Sequence, residues 1–421
     1  MRKLLTTILL LSIVNCQLSI CSACTSIIIS GKATADGCPV MFKNRDTDCL
    51  DNRVERYQGK NYAFIGLVNA PVKTGEVWTG INEAGFCIMN TASYNIKDDN
   101  VPDKKMDKEG VLMFDALGEC ATVEDFRQFL KNRKKPMGVE ANFGVIDAHG
   151  GASYFEVNNQ QWWEYDVNEE PAGYRVVTNF SFAGRKEDYQ GVERYLTATS
   201  IMNDYVTSHT LGLYTIGHEF LMNHFSRSYR HARLGTPDDY CPASGITVDQ
   251  DFIPRRITSA AITVEGVYPG EDPAKTVMWT SLGYPATSPA IPLLVGKSDI
   301  LPNYVKSFDY GVSRSSEGKK EGHSRISDYS NDIKYAYIFP DKVSNGKRYL
   351  HLDVVQRGTE GRPALKECAA VAETVINQAF HKIYARWLSG ELDDEAFYQA
   401  YLAQQSVYWK AYVNAFAGYK L

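Results

Sequence analysis

The chain begins with a short basic-apolar leader that stops at a cysteine, and that cysteine opens a run of β-branched residues. Arg2 and Lys3 form the basic end, residues 4–14 an apolar core, and Ser22-Ala23 a small-residue exit, the three parts of a secretory signal. Cleavage after Ala23 would make Cys24 the first residue of the mature chain. It would then carry a thiol and a free α-amino group together, a nucleophile beside a base of pKa about 8. The following Thr25-Ser26-Ile27-Ile28-Ile29 has the composition of a buried strand, so the nucleophile would sit at the mouth of a sheet. Two plainer readings compete: a half-cystine near a terminus, and an acylated lipoprotein cysteine. The best lipoprotein match, Leu18-Ser19-Ile20-Cys21, carries a bulky Ile where a small residue is wanted.

Length and charge narrow the options. Of 421 residues, 398 would remain after cleavage, enough for one large domain or two ordinary ones. Net charge is −5, and losing Arg2 and Lys3 takes it to −7, a poor basis for binding nucleic acid. Beyond the leader no stretch reaches the ~20 apolar residues of a membrane helix, so a periplasmic or secreted protein is expected. Seven cysteines would remain in the mature chain, Cys24, Cys38, Cys49, Cys87, Cys120, Cys241 and Cys368. That number is odd, so in an oxidising compartment one stays unpaired or pairs with another chain. With Cys24 free, six could pair, Cys38 and Cys49 being nearest, but spacing does not reveal connectivity. No CxxC pair occurs, and neither a metal nor a cofactor is expected.

Periodicity places Ala35-Asp36-Gly37 in a turn and residues 39–46 in a second strand, a hairpin whose far end returns Asp46 towards Cys24. Further strands are expected at 62–68, 77–81, 86–90, 142–147 and 153–157, with 147–151 as a turn. Helices are expected at 112–119, at 123–131 with Thr122 as N-cap and Asp125 three residues on, and at 185–203. Residues 363–421 read as almost wholly helical with a break at Ser389-Gly390, and their Ala, Tyr and Phe content calls for packing on the body. The polar, Gly/Ser-rich stretch 313–328 marks a loop or domain boundary. His218-Glu219 with His224 has the wrong spacing for a zinc HExxH, and Trp162-Trp163 reads as packing before ligand wall.

Cys24-Thr25-Ser26-Ile27, then Asp36-Gly37, then Lys43-Asn44-Arg45-Asp46, resembles the opening of N-terminal-nucleophile (Ntn) cysteine hydrolases of the choloylglycine hydrolase and penicillin V acylase type. These are related to acyl-CoA:6-aminopenicillanate acyltransferases and cysteine dipeptidases. Lys43 stands where bile salt hydrolases have Arg. Gly80-Ile81-Asn82-Glu83-Ala84-Gly85-Phe86 and Met89-Asn90-Thr91-Ala92-Ser93-Tyr94 resemble the family's Gly-x-Asn-Glu-x-Gly-Leu and Leu-Asn-x-x-x-Tyr pieces, about two residues closer together. Val177-Thr178-Asn179 resembles its oxyanion-hole segment, and Arg256-Ile257-Thr258-Ser259-Ala260-Ala261 its later Arg-containing strand. Met278-Trp279-Thr280-Ser281-Leu282-Gly283-Tyr284-Pro285 is nearer to the dipeptidase branch. The matches run in order from Cys24 to about Pro292.

The resemblance implies an α+β fold, the four-layer αββα sandwich, over residues 24–310, with 311–421 supplying a linker, closing strands and a helical C-terminal extension. It implies hydrolysis of a linear amide C–N bond in a small N-acyl compound, such as a conjugated bile salt, penicillin V or an N-acyl amino acid. Cys24 would be the nucleophile, Asn90 and Asn179 oxyanion donors, Asp46 the holder of the amine or thiol, and Arg256 a support for that charge network. Lys43 or Arg45 would stand in for the family's strand arginine. A dipeptidase and an acyltransferase are the alternative enzymes, and an exported binding protein with a disulfide-bonded or lipidated Cys24 the alternative outside enzymology. The expected partner is a small-molecule amide, and self-association is left open.

Overall fold

The structure is a computed structural model that describes residues 23–70, 74–207, 218–249, 251–307, 322–340, 349–359 and 361–419. The leader before Ala23, with Cys16 and Cys21, lies outside these residues, as does 313–321 of the polar stretch.

Six strands come first: β1 (Thr25–Ile29), β2 (Val40–Asp46), β3 (Asn52–Gln58), β4 (Ala63–Asn69), β5 (Thr79–Asn82) and β6 (Cys87–Ala92). Helices α1 (Glu109–Glu119) and α2 (Val123–Asn132) follow. The α2 start is a capping box: Thr122 accepts from the Asp125 amide at 3.0 Å while Asp125 accepts from the Thr122 amide at 3.0 Å. Strands β7 (Ala141–Ile146), β8 (Ala152–Val157), β9 (Trp162–Asp166) and β10 (Tyr174–Val177) lead into α3 (Val192–Thr207). The expected helix from residue 185 therefore starts seven residues later, because Gly191 takes a left-handed φ of 75° that interrupts it. The short α4 (His218–Leu221) precedes β11 (Ile246–Val248), β12 (Thr258–Glu265), β13 (Val277–Leu282) and β14 (Ile291–Leu293). The chain ends with α5 (Arg325–Ile333), β15 (Tyr349–His351), α6 (Leu352–Gln356), α7 (Leu365–Leu388) and α8 (Asp394–Ala415). Residues 325–328, expected in a loop, belong to α5: Ser324 caps its N-terminus through the Ser327 amide at 3.2 Å.

Two antiparallel sheets form the centre. One runs β10-β1-β2-β12-β13-β14 and the other is a meander, β3 through β9 in chain order. Strands β1 and β2 are buried along their whole length, as expected of central strands covered on both faces. They contact β7 of the opposite sheet, and Tyr154 on β8 donates its hydroxyl to Ser26 Oγ on β1 at 2.9 Å. Outside the meander, α1 and α2 bury Leu112, Leu117, Phe126 and Leu130 against Phe64, Phe86, Phe143 and Phe155. Outside the first sheet lie α3, α4, α5 and α7. The result is the four-layer αββα sandwich. The expected helical end is real and packs on the body: Tyr401 and Tyr412 of α8 donate to the Pro292 and Thr287 carbonyls at 2.8 and 2.7 Å. Trp162, half-buried on edge strand β9, stacks edgewise on Phe155 and serves packing.

Candidate active site

Cys24 lies one residue before β1 and is buried. The β1–β2 register pairs Thr25 with Asn44 and Ser26 with Lys43, so the end of β2 returns to the start of β1. The Cys24 thiol donates weakly to the Asp46 backbone carbonyl, with sulfur and oxygen 3.9 Å apart.

Alternation along β2 sorts its four polar residues into two groups. Asn44 and Asp46 lie on the face away from the second sheet, where Asn44 Nδ2 donates to the Ile253 carbonyl at 3.2 Å and its Oδ1 accepts from Ser226 Oγ at 3.3 Å. Asp46 Oδ1 accepts from Asn44 Nδ2 at 2.9 Å and from Thr258 Oγ1 at 2.6 Å, and its Oδ2 accepts from Arg255 Nε at 2.8 Å. A bulge between Thr258 and Ala260 in the β12–β2 pairing brings Thr258 opposite Asp46. Arg255 also donates from Nη2 to the Ala23 carbonyl at 3.1 Å. Burial alone would lower its pKa, but the Asp46 charge and hydrogen bond raise it.

Lys43 and Arg45 look the other way, between the sheets. Lys43 Nζ donates to the Trp78 carbonyl at 2.7 Å and to Asn90 Oδ1 at 2.8 Å. Burial pushes its ammonium down to about 7, opposed by the nearby Cys24 thiol and assisted by Arg45. Arg45 donates to Asn69 Oδ1 at 2.8 Å and Asn52 Oδ1 at 2.5 Å, and its guanidinium lies 5.2 Å from the Trp78 ring centroid. Burial lowers its pKa to about 10.

The oxyanion candidates differ in availability. Asn90 has its Oδ1 fixed by Lys43, while its Nδ2 donates to no described residue, so the amide is oriented with its donor end uncommitted. Asn179 is held at both ends: Oδ1 accepts from Arg194 Nη2 at 2.7 Å, and Nδ2 donates to the Ala92 carbonyl at 2.9 Å.

Arg194, on α3, was invisible in the sequence pattern. It is fully enclosed and donates from Nη1 to the Cys24 carbonyl at 2.6 Å and to Thr25 Oγ1 at 3.0 Å, tying the Cys24 backbone to Asn179. Lys43, Arg45, Arg194 and Arg255 are all electrostatically coupled to the Cys24 thiol, so charge developing on sulfur meets four cations.

The expected role of Arg256 falls to its neighbour. Arg255 reaches Asp46, whereas the Arg256 amide donates to Asp249 Oδ2 at 2.8 Å and its guanidinium lies over the Tyr335 and Phe339 rings. Both arginines lie in the turn that precedes β12, closed by the Thr258 amide on the Arg255 carbonyl at 2.8 Å, and that turn directs one towards Asp46 and the other towards Asp249. Behind Asp46, buried Lys334 donates to the Thr258 carbonyl at 3.1 Å.

Cys24, Cys38, Cys49, Cys87, Cys120, Cys241 and Cys368 all carry free thiols. Among the described residues one group has donor atoms close enough for a metal, Asp51, His323 and Asp328, with His323 hydrogen-bonded to Asp328 at 2.9 Å and 3.5 Å from Asp51.

No protein-family model matches the chain, and no curated protein matches it. Solved structures do. An N-acylethanolamine-hydrolyzing acid amidase ortholog of Caenorhabditis elegans is 16% identical, with 59% of this chain and 93% of that chain covered and a TM-score of 0.40. A variant of conjugated bile acid hydrolase from Clostridium perfringens is 11% identical, covering 65% and 93%, with a TM-score of 0.42. Penicillin V acylase from Agrobacterium tumefaciens is 13% identical, covering 66% and 87%, with a TM-score of 0.36. Overlap this partial leaves the chemistry to be argued from the residues around Cys24.

Proposed function

We propose that the protein is an exported amidohydrolase in which Cys24, freed by removal of residues 1–23, attacks a linear amide. The observation that carries this reading is the setting of Cys24 between Arg194 and Asp46. Arg194 holds the Cys24 carbonyl at 2.6 Å, and the Cys24 thiol lies 3.9 Å from the backbone carbonyl of Asp46, whose carboxylate is paired with Arg255.

In the freed chain the α-amine of Cys24 takes the thiol proton, directly or through a water. The thiolate attacks the amide carbon, and the oxyanion that forms is met by the uncommitted Nδ2 of Asn90, held in direction by Lys43. Such a donor is worth ~3 kcal/mol in the barrier. Asn179, whose amide is committed to Arg194 and the Ala92 carbonyl, steadies the arginine that holds Cys24. The α-ammonium then protonates the departing amine. Water, deprotonated by the regenerated amine, hydrolyses the thioester and returns Cys24 to its starting state. Asp46 balances the positive charge that the amine acquires when it takes the proton. Substrates of this chemistry are small N-acyl compounds.

Intact mass of the exported protein tests the premise: it should begin at Cys24 with an unmodified amine. Iodoacetamide should label that thiol and abolish amidase activity, and Cys24→Ser should lose activity. A terminus elsewhere, or an acylated Cys24, would overturn the reading.

A further inference from the structure

Where the loop between β2 and β3 meets α5, oxygen and imidazole donors converge. Asp51 ends the loop, His323 precedes α5, and Asp328 and Asn331 lie one turn apart on that helix. His323 Nδ1 is 2.9 Å from Asp328 Oδ1, and its Nε2 is 3.5 Å from Asp51 Oδ2. Asn331 Nδ2 donates to Asp51 Oδ1 and to the Leu50 carbonyl, both at 3.3 Å. One donor atom each from Asp51, His323 and Asp328 lie within 4.8 Å of one another, a separation that ligands of a single ion can span.

The pairing of His323 with the two acids does not satisfy the cluster. Those contacts use Oδ1 of Asp328 and Oδ2 of Asp51. Oδ2 of Asp328 and Oδ1 of Asn331 remain, both shut off from solvent, and neither receives a hydrogen bond among the described residues. The two residues are only 5% and 8% exposed. Positions three apart on a helix share a face. Each orphan oxygen is also the second atom of a group whose first atom already touches the cluster, so both are turned into it. A buried acceptor without a donor is costly, and a charged one more so. Acceptors in excess of donors, gathered at one point around carboxylates, are what a cation satisfies.

We infer that Asp51, His323, Asp328 and Asn331 form a binding site for a divalent transition-metal ion of the Zn²⁺ type. Two carboxylates match the charge of the ion, and the imidazole favours a first-row metal over Ca²⁺, which takes six to eight oxygens. The ion takes the place of a hydrogen that His323 shares with a carboxylate. The lack of a CxxC pair is no bar, because these donors are oxygen and imidazole and come from two distant stretches of chain. Both sides of the site lead to Asp46. The loop 47–51 continues directly from it, and Lys334, immediately after α5, holds the carbonyl of Thr258, whose Oγ1 donates to Asp46. The ion therefore clamps loop to helix behind that carboxylate. The inference goes beyond the hydrolase reading and needs neither a free Cys24 nor a substrate.

Calorimetric titration with ZnCl₂ of the whole chain, purified without a tag and stripped of metal with EDTA, tests this. It should take up one Zn²⁺ per chain, and CaCl₂ should bind far more weakly. Asp328→Asn should weaken Zn²⁺ binding by about 100-fold or more, and Asn331→Ala by about tenfold, the range seen when groups around a metal are removed. The protein loaded with Co²⁺ should lack the thiolate-to-metal charge-transfer band that a cysteine site gives. Absence of saturable Zn²⁺ binding, affinity unchanged in Asp328→Asn, or a thiolate band overturns the site, and Ca²⁺ binding as tightly as Zn²⁺ overturns the choice of metal. Should Asp328→Asn fail to fold, Asp51→Asn, at a more accessible position, decides by the same criterion.

Discussion

Arg255 Nε donates to Asp46 Oδ2 at 2.8 Å, and the carboxylate that receives it is otherwise held by Asn44 and Thr258. Asp46 thus spends its oxygens on one cation and two neutral donors, and Arg255 keeps Nη2 for the Ala23 carbonyl. Arg255→Met should lower kcat/KM by about 10²-fold, the size of effect that misplacing a reacting group brings. Arg256→Met, which loses contacts with the Phe339 carbonyl and two rings, should leave kcat/KM within a few-fold. Steady-state kinetics of the two variants on one amide substrate check this, and a larger loss at Arg256 would reverse the assignment.

Lys43 sets a pH limit. Its ammonium, pushed down to about 7 by burial, is charged below that pH and neutral above it. A neutral amine is the weaker donor to Asn90 Oδ1. Activity should therefore fall as pH rises through about 7 on this account. Lys43→Arg, which keeps its charge, should move that limb upward by a unit or more, and Lys43→Met should remove it at a lower overall rate. The pH profile of kcat/KM for the three proteins is the measurement.

Glu109, at the start of α1, makes stability depend on pH. Burial raises its carboxyl from 4.5 to about 7, while a hydrogen bond from the Glu140 amide at 2.9 Å opposes the shift. The folded protein then holds a proton that the unfolded chain releases between these two values, so this group's contribution falls as pH rises from 4.5 to about 7. The penalty is complete above that window and absent below it. Glu109→Gln should stabilise by about 1–3 kcal/mol at pH 8 and change little at pH 4. Urea unfolding at both pH values checks the sign.

The helical end is keyed to the core by a charge pair. Arg227 and Glu373 of α7 meet bidentately at 2.7 and 2.6 Å, both buried, and Glu373 also accepts from the Ala290 amide at 2.6 Å. Removing one partner strands the other, so Glu373→Ala should cost about 3–5 kcal/mol. The double variant Arg227→Met/Glu373→Leu should recover most of that. Chemical denaturation of single and double variants gives the coupling, and an additive result would contradict it.

Local pattern carried much of this fold. The β-branched run after Cys24, the Asp36-Gly37 turn, the strands to residue 157 other than β3 and the Thr122 capping box are decided by neighbours in the chain, because side-chain period and cap chemistry are local. Cys24 as the residue of interest, and the return of Asp46 to it, follow from the same local hairpin. Choosing between Arg255 and Arg256 was beyond the sequence, since they are neighbours in the chain and only the turn into β12 directs one of them to Asp46. Arg194 left no trace at all, being an arginine on a helix 170 residues from the carbonyl it binds. The contrast between Asn90 and Asn179 is likewise tertiary: their amides differ in freedom because Lys43, Arg194 and the Ala92 carbonyl approach them from other elements. The β1–β2 hairpin and the β3–β9 meander come from short-range chemistry, whereas the pairing of β1 with β10 and of β2 with β12 is tertiary. The charge arrangement around Cys24 exists only where two sheets and α3 converge and water is excluded, which makes each unpaired polar atom count.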